Sequence, residues 1–208
     1  PYREYVIQHV MLKSVPCGMY GQTAVECAIA AHALVRNRID SIERIDLHTQ
    51  RSLLGIMNKT GPLRNHADRD HSVQYIVAIG LLFGRLTPAD CNDDVAADLR
   101  IDALRDKMNV IEDPSFTRGS ADPEKLSSGN GIQIYFRDGS STPRIDIEYP
   151  AGHPSRRDES APLFRMKFMQ ALETCFVPEQ RDRILAMCDD RATFEQIPVS
   201  TFMAALAT

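Results

Sequence analysis

Gly131-Ile-Gln-Ile-Tyr-Phe-Arg137, then Arg144-Ile-Asp-Ile-Glu-Tyr149 after a turn containing Asp138-Gly139-Ser140, is the stretch that decides the fold. Apolar and polar residues alternate in both halves, as strands with one buried face require. An Asp-Gly pair between two such runs is a hairpin signal, because glycine accepts the backbone twist that a tight turn needs. Working outward, Ser41 to Thr49 predicts another strand, its alternation clean only from Ile45 onward. Met108 to Ile111 reads as an edge-like segment. Between these lie helical patterns. Gln22 to Arg38 repeats Ala24, Cys27, Ala28, Ala31, Leu34 and Val35 at helical spacing, and alanine is the best helix former. About Asp70 to Gly84 predicts an apolar helix capped by Asp68 or Asp70. Thr87-Pro88-Ala-Asp90 predicts a short helix with Thr87 as N-cap, and Leu99 to Lys107 an amphipathic one.

Helices interleaved with strands and one hairpin predict an α+β unit with a small mixed sheet and flanking helices. From Ala161 the pattern is helical only: Ala161 to Cys175, Pro178 to Cys188 and a segment near Val199 to Leu206. The stretch from Gly152 to Glu159, rich in Pro, Arg and Asp, is the candidate linker, which divides the chain into 1–152 and 153–208.

Composition narrows the function classes. The 208 residues are 43% hydrophobic and 25% charged, with 24 Lys and Arg against 28 Asp and Glu and a net charge of −4. That balance argues against a nucleic-acid partner, which calls for a basic face. No apolar run approaches the ~20 residues needed to cross a bilayer. No secretory leader is visible, so the expectation is an intracellular, cytoplasmic chain, or one of the mitochondrial matrix in a eukaryote. Five scattered cysteines (Cys17, Cys27, Cys91, Cys175 and Cys188) without a Cys-x-x-Cys pair read as reduced thiols and not as a zinc or iron–sulfur site. The chain starts without methionine, and Pro1 to Ile7 reads as the middle of a domain. The expectation is a piece of a longer polypeptide.

Candidate chemistry concentrates in Lys59-Thr-Gly-Pro-Leu-Arg-Asn-His-Ala-Asp-Arg-Asp-His-Ser-Val-Gln-Tyr75. Asp68, His71 and Tyr75 are three and four residues apart, which on a helix puts them on one side of a turn. Histidine changes protonation near neutral pH and tyrosine transfers a proton from a fixed position. The same residues serve equally as a helix cap, a first-turn residue and a core aromatic. Lys59, Arg64, His66 and Arg69 form a cationic cluster suited to carboxylates, or else a solvated loop. Lys13 precedes the turn Ser14-Val-Pro16-Cys-Gly18-Met-Tyr20-Gly21, where it could join a helix N-terminus in holding an anion or simply face solvent. No Gly-rich phosphate loop and no metal-binding carboxylate spacing is present.

Several motifs, in order, resemble the carboxy-terminal part of the MmgE/PrpD family. They are Gln22-Thr-Ala-Val-Glu26, Ala67-Asp-Arg-Asp-His-Ser-Val-Gln-Tyr75 with Leu82-Phe-Gly-Arg-Leu86, Arg100-Ile-Asp-Ala-Leu-Arg105, Glu112-Asp-Pro114, Asp122-Pro-Glu-Lys125 and Glu148-Tyr-Pro-Ala-Gly-His153. The likeness is to the 2-methylcitrate dehydratase branch of a group that includes cis-aconitate decarboxylase and iminodisuccinate epimerase. The resemblance implies a lid-type α+β domain, about Tyr5 to Gly152, facing a helical domain to which the final helices return. It implies a homodimeric, cofactor-independent hydro-lyase of propionate breakdown with no metal and a small tricarboxylate substrate. It also implies that the isolated chain shows little turnover, or serves only as a folded lid or oligomerisation module. Lys13 matches a lid lysine lining the substrate site, Tyr75 a lid tyrosine facing it, and His71 shares that motif. The expected catalytic set is thus Tyr75, His71 and Lys13, with Lys13, Arg64, Arg69 and His66 holding carboxylates. Family members often carry a histidine in the turn after the lid lysine, where this chain has Gly18, Met19 and Tyr20.

Overall fold

A computed structural model describes residues 10–207. The Pro1 to Ile7 stretch read as mid-domain lies outside the described residues. In chain order the elements are α1 (Gln22–Val35), β1 (Ile42–Thr49), α2 (Arg51–Ile56), α3 (His66–Asp70), α4 (Val73–Phe83), α5 (Asp93–Ala96), α6 (Leu99–Arg105), β2 (Met108–Glu112), α7 (Pro114–Ala121), β3 (Asn130–Phe136), β4 (Ile145–Ile147), α8 (Arg157–Cys175), α9 (Pro178–Cys188), α10 (Arg191–Gln196) and α11 (Val199–Leu206). The chain divides into two compact units, one ending at Asp158 and one starting at Glu159.

In the first unit a four-stranded sheet runs β2-β1-β3-β4, with β1 parallel to β2 and the other neighbours antiparallel. A parallel pair needs a long crossover. Here α2 to α6 supply it. Ile45 lies opposite Ile134 and Leu47 opposite Ile132, all four fully buried. The other face carries Arg44, Asp46, Gln133 and Tyr135, with the Arg44 guanidinium 4.1 Å from the Tyr135 ring centroid. This is the one-face-in pattern that alternating sequence encodes. A register shift between Ile42 and Arg44 explains why the alternation fails before Ile45. The bulge inserts one residue, so Ile42 and Ile45 are both buried although three positions apart.

Helix α1 packs on β3 and β4, and α4 packs in turn on α1 and α6. Every residue from Val73 to Leu81 is buried, so α4 is apolar on all sides and central. Ser72 caps its start, and Gly84 ends it at φ 65. Gly80 lets the two helices meet: a Cβ there would lie 2.7 Å from Ala28 Cβ. Gly80→Val is therefore expected to destabilise the protein by about 1–3 kcal/mol through overpacking, read as a lower urea midpoint.

The hairpin end is tied down by Arg144, which bonds Asp113 at 2.8 Å and Asp146 at 2.7 Å. The Arg144 guanidinium, helped by Ser115, holds the Asp113 carboxyl well below the usual carboxylate range. A depressed carboxyl adds stability that is present above its unfolded pKa and lost as pH falls through the folded one. Asp113→Asn is thus expected to cost less than about 1 kcal/mol at pH 7. That deficit should shrink in acid, which chemical unfolding at pH 7 and pH 2 would test.

The second unit is a set of helices around Leu172, Ile184 and Ala205. It leaves Met166, Phe168, Met169 and Met203 exposed. Among the described residues no helix is long and apolar enough to cross a membrane.

Candidate functional site

The segment from Lys59 to Tyr75 folds as two short helices instead of one. Asn65 caps α3, its side chain accepting from Asp68 N at 2.9 Å, and Ser72 caps α4, accepting from Tyr75 N at 3.3 Å. Two caps seven residues apart force a break between them. His71 occupies that break with φ −111 and ψ 18. The expectation of one helix beginning at Asp70 and capped by Asp68 or Asp70 is corrected accordingly. Asp68 instead holds the preceding loop, accepting from Arg64 N at 3.1 Å and Lys59 Nζ at 3.5 Å. The Arg64 N–H, more than the Lys59 charge, lowers its pKa.

With the helix broken, Asp68, His71 and Tyr75 do not share one helical face. His71 Nδ1 lies 2.5 Å from Asp70 Oδ1. A carboxylate only accepts, so Nδ1 carries the proton and Nε2 is the basic nitrogen. The His71 side chain is 45% exposed, open enough for a ligand to reach. The turn after Lys13 packs against this corner. Gly18 N donates to the Asp70 carbonyl at 3.1 Å, and a Cβ on Gly18 would lie 3.3 Å from His71 Cδ2 and 2.7 Å from Met57 Sδ. A larger residue at Gly18 would therefore press on His71 or Met57. The Lys13 ammonium and the Asp70 carboxylate both act on the buried Cys17 thiol, lowering and raising its pKa respectively, while burial dominates and pushes it to about 12. Lys13, Cys17, Gly18, Asp70 and His71 thus form one neighbourhood.

Gln22 shapes the turn. Its Oε1 accepts from Ser14 N at 3.1 Å and Val15 N at 3.3 Å, and its Nε2 donates to the Val15 carbonyl at 2.8 Å. The amide at the start of α1 thereby serves the protein's own turn. Lys13 stands exposed beyond it. The residue before Lys13 crosses the 151–153 turn at very close range, since a Cβ on Gly152 would lie 1.8 Å from the Leu12 carbonyl oxygen. Glu26 fixes that turn, accepting from Ala151 N at 2.8 Å and pairing with Arg156 at 2.7 Å.

The cationic cluster divides. Arg64 and His66 are exposed, His66 Nε2 lying 3.2 Å from the Pro88 carbonyl. Arg69 turns inward, donating to the Cys91 carbonyl at 2.8 Å and pairing with Asp93 at 2.7 Å. Tyr75 is only 2% exposed and its hydroxyl donates to the Asp90 carbonyl at 2.7 Å. Burial pushes its pKa to about 12. Tyr75 and Arg69 therefore sit behind the His71 corner, in a wall that also includes the Asp90 loop. That loop follows Thr87, whose N and Oγ1 both donate to the Asp90 carboxylate at 2.7 Å. Asp70, Gly152 and Gln22 are the additional residues that build this neighbourhood. All three lie inside quoted motifs, but Asp70, adjacent to His71, has no helical spacing to it. A separate groove of about 490 Å³ at the sheet edge, lined by residues such as Arg44, Lys107 and Tyr135, contains none of the expected site residues. Among the described residues no group of three or more His, Cys, Asp or Glu is placed to hold a metal ion.

Known proteins share much of this sequence. The chain is 44% identical over 207 residues to a 2-methylcitrate dehydratase of Salmonella typhi, covering 98% of this chain and 43% of the relative. It is 42% identical over 190 residues to the mitochondrial 2-methylcitrate dehydratase of Yarrowia lipolytica, covering 89% of this chain and 36% of that protein. It is 40% identical over 161 residues to an alkylcitrate dehydratase of a fungal species, covering 74% of this chain and 32% of the relative. The chain therefore spans less than half the length of these relatives. The model of the MmgE/PrpD C-terminal domain matches residues 15–191. With that match running from the Lys13 turn through both compact units, the chain belongs to the MmgE/PrpD family.

Proposed function

We propose that this chain is the carboxy-terminal part of a hydro-lyase that removes water from 2-methylcitrate to give 2-methyl-cis-aconitate. The observation that carries the proposal is 44% identity to a 2-methylcitrate dehydratase across 98% of the chain. The reaction needs a proton removed beside a carboxylate, a hydroxyl assisted in leaving, and cations for three carboxylates. His71, oriented by Asp70, transfers the proton through Nε2. Lys13 holds a substrate carboxylate, and exposed Arg64 and His66 attract the anion at the rim. Tyr75 and Arg69 act as positioning residues that brace the His71 corner from behind. The relatives extend well beyond the matched region, so the remainder of the full-length protein supplies the opposite wall of the site. In this reading the enzyme uses no cofactor, works as a cytoplasmic or mitochondrial-matrix homodimer, and residues 1–152 act as its lid with 153–208 returning to the helical domain.

Lys13→Ala in the full-length protein is expected to lower kcat/KM about tenfold, ~1.4 kcal/mol, with most of the change in KM. Unchanged kinetics would remove Lys13 from the site. The 208-residue chain alone is expected to turn over 2-methylcitrate negligibly, and substantial turnover would contradict the shared-wall arrangement.

A further inference from the structure

On the far side of α3 from the His71 corner lies a cavity of about 320 Å³ whose lining includes Leu63, Arg69, Tyr75, Ala97, Asp102 and Arg105. The Arg69 and Arg105 side chains are only 8% and 11% exposed. Two arginines buried along one wall need partners for up to ten N–H donors, five on each guanidinium. Arg69 has the Cys91 carbonyl and Asp93. Arg105 has the Gly61 carbonyl at 2.6 Å and Asp102. Those two carboxylates lie largely in water, Asp93 89% exposed and Asp102 62% exposed, so they hold the guanidinium groups weakly. Among the described residues, Nε of Arg69 and Nε of Arg105 are both buried and lack a hydrogen-bond partner. Buried donors without acceptors are costly. An acceptor that both side chains can reach by a small adjustment would remove that cost twice.

We propose that this cavity binds a small organic carboxylate, gripped by the two guanidinium groups, and that it is distinct from the Lys13–His71 site. The two arginines and the two aspartates cancel in formal charge, so net charge does not select among anions. Recognition then rests on hydrogen-bond geometry, and a planar fork matches a planar carboxylate. The volume suits a ligand of a few carbons. Separation from the first site follows from α3, whose consecutive residues face different neighbours: Arg69 meets Cys91 and Asp93, whereas Asp70 meets Gly18 and His71.

Isothermal titration calorimetry of the 208-residue chain with succinate, citrate, inorganic phosphate and chloride tests the proposal. Saturable binding of succinate or citrate is expected, with no matching heat from phosphate or chloride. Arg105→Gln should weaken it by about tenfold or more, the loss of one charged fork. Ala97→Phe, an exposed position where added bulk fills the cavity without altering charge, should abolish it even if Arg105→Gln fails to fold. Lys13→Ala should leave it unchanged. Absence of carboxylate binding would overturn the proposal, as would equal binding of phosphate. Loss in Lys13→Ala with retention in Ala97→Phe would move the ligand to the first site.

Discussion

His71→Ala in the full-length protein is expected to lower kcat by about 10²–10⁴-fold while leaving the fold intact, the range a positioned general acid or base contributes. The imidazole is half-exposed at a helix break, so its removal leaves no cavity in the core. The imidazole is tied to Asp70, and that tie decides which nitrogen is basic. Asp70→Asn keeps the shape but offers an amide in place of the carboxylate, and should therefore shift the pH–rate profile as well as lower kcat. A His71→Ala variant with unimpaired kcat and an unchanged unfolding curve would place the proton transfer elsewhere.

Gly152→Ala comes next in expected effect. The added Cβ would fall 1.8 Å from the Leu12 carbonyl oxygen, which is backbone and cannot rotate away as a side-chain tip would. Either the 151–153 turn or the Leu12 segment must move, and Glu26 with Arg156 anchors the turn. The segment before Lys13 therefore gives way. Losing the Lys13 contact in this way is expected to cost about tenfold in rate, as Lys13→Ala does. Steady-state kinetics should show that loss in kcat/KM, with far-UV circular dichroism unchanged. Near-normal kinetics would mean that Lys13 is not held from this turn.

The first unit was largely readable because its sheet obeys a simple rule. Ile45, Leu47, Ile132 and Ile134 alternate with polar residues, and all four are buried. Helix α1 was readable from its alanine-rich repeat, and the turn at Pro88 from the Thr87 and Asp90 pair. Helices α2, α5, α7 and α10 are not legible because four to eight residues carry too little periodicity. Gln50 adds to this for α2: its side chain accepts from Leu53 N at 2.6 Å, a capping role seldom given to glutamine. The candidate site was readable in residue types but not in arrangement. Asp68, His71 and Tyr75 have helical spacing, yet the caps at Asn65 and Ser72 end one helix and begin another between them. Whether Tyr75 faces a ligand or the interior depends on the Asp90 loop meeting its hydroxyl, a contact 15 residues away that no local pattern encodes.

The central claim is the reaction itself, and product identity tests it most directly. The full-length protein, incubated with 2-methylcitrate and followed by proton NMR alongside a carbon dioxide assay, should yield 2-methyl-cis-aconitate with no gas released. Release of carbon dioxide, or epimerisation without loss of water, would contradict it.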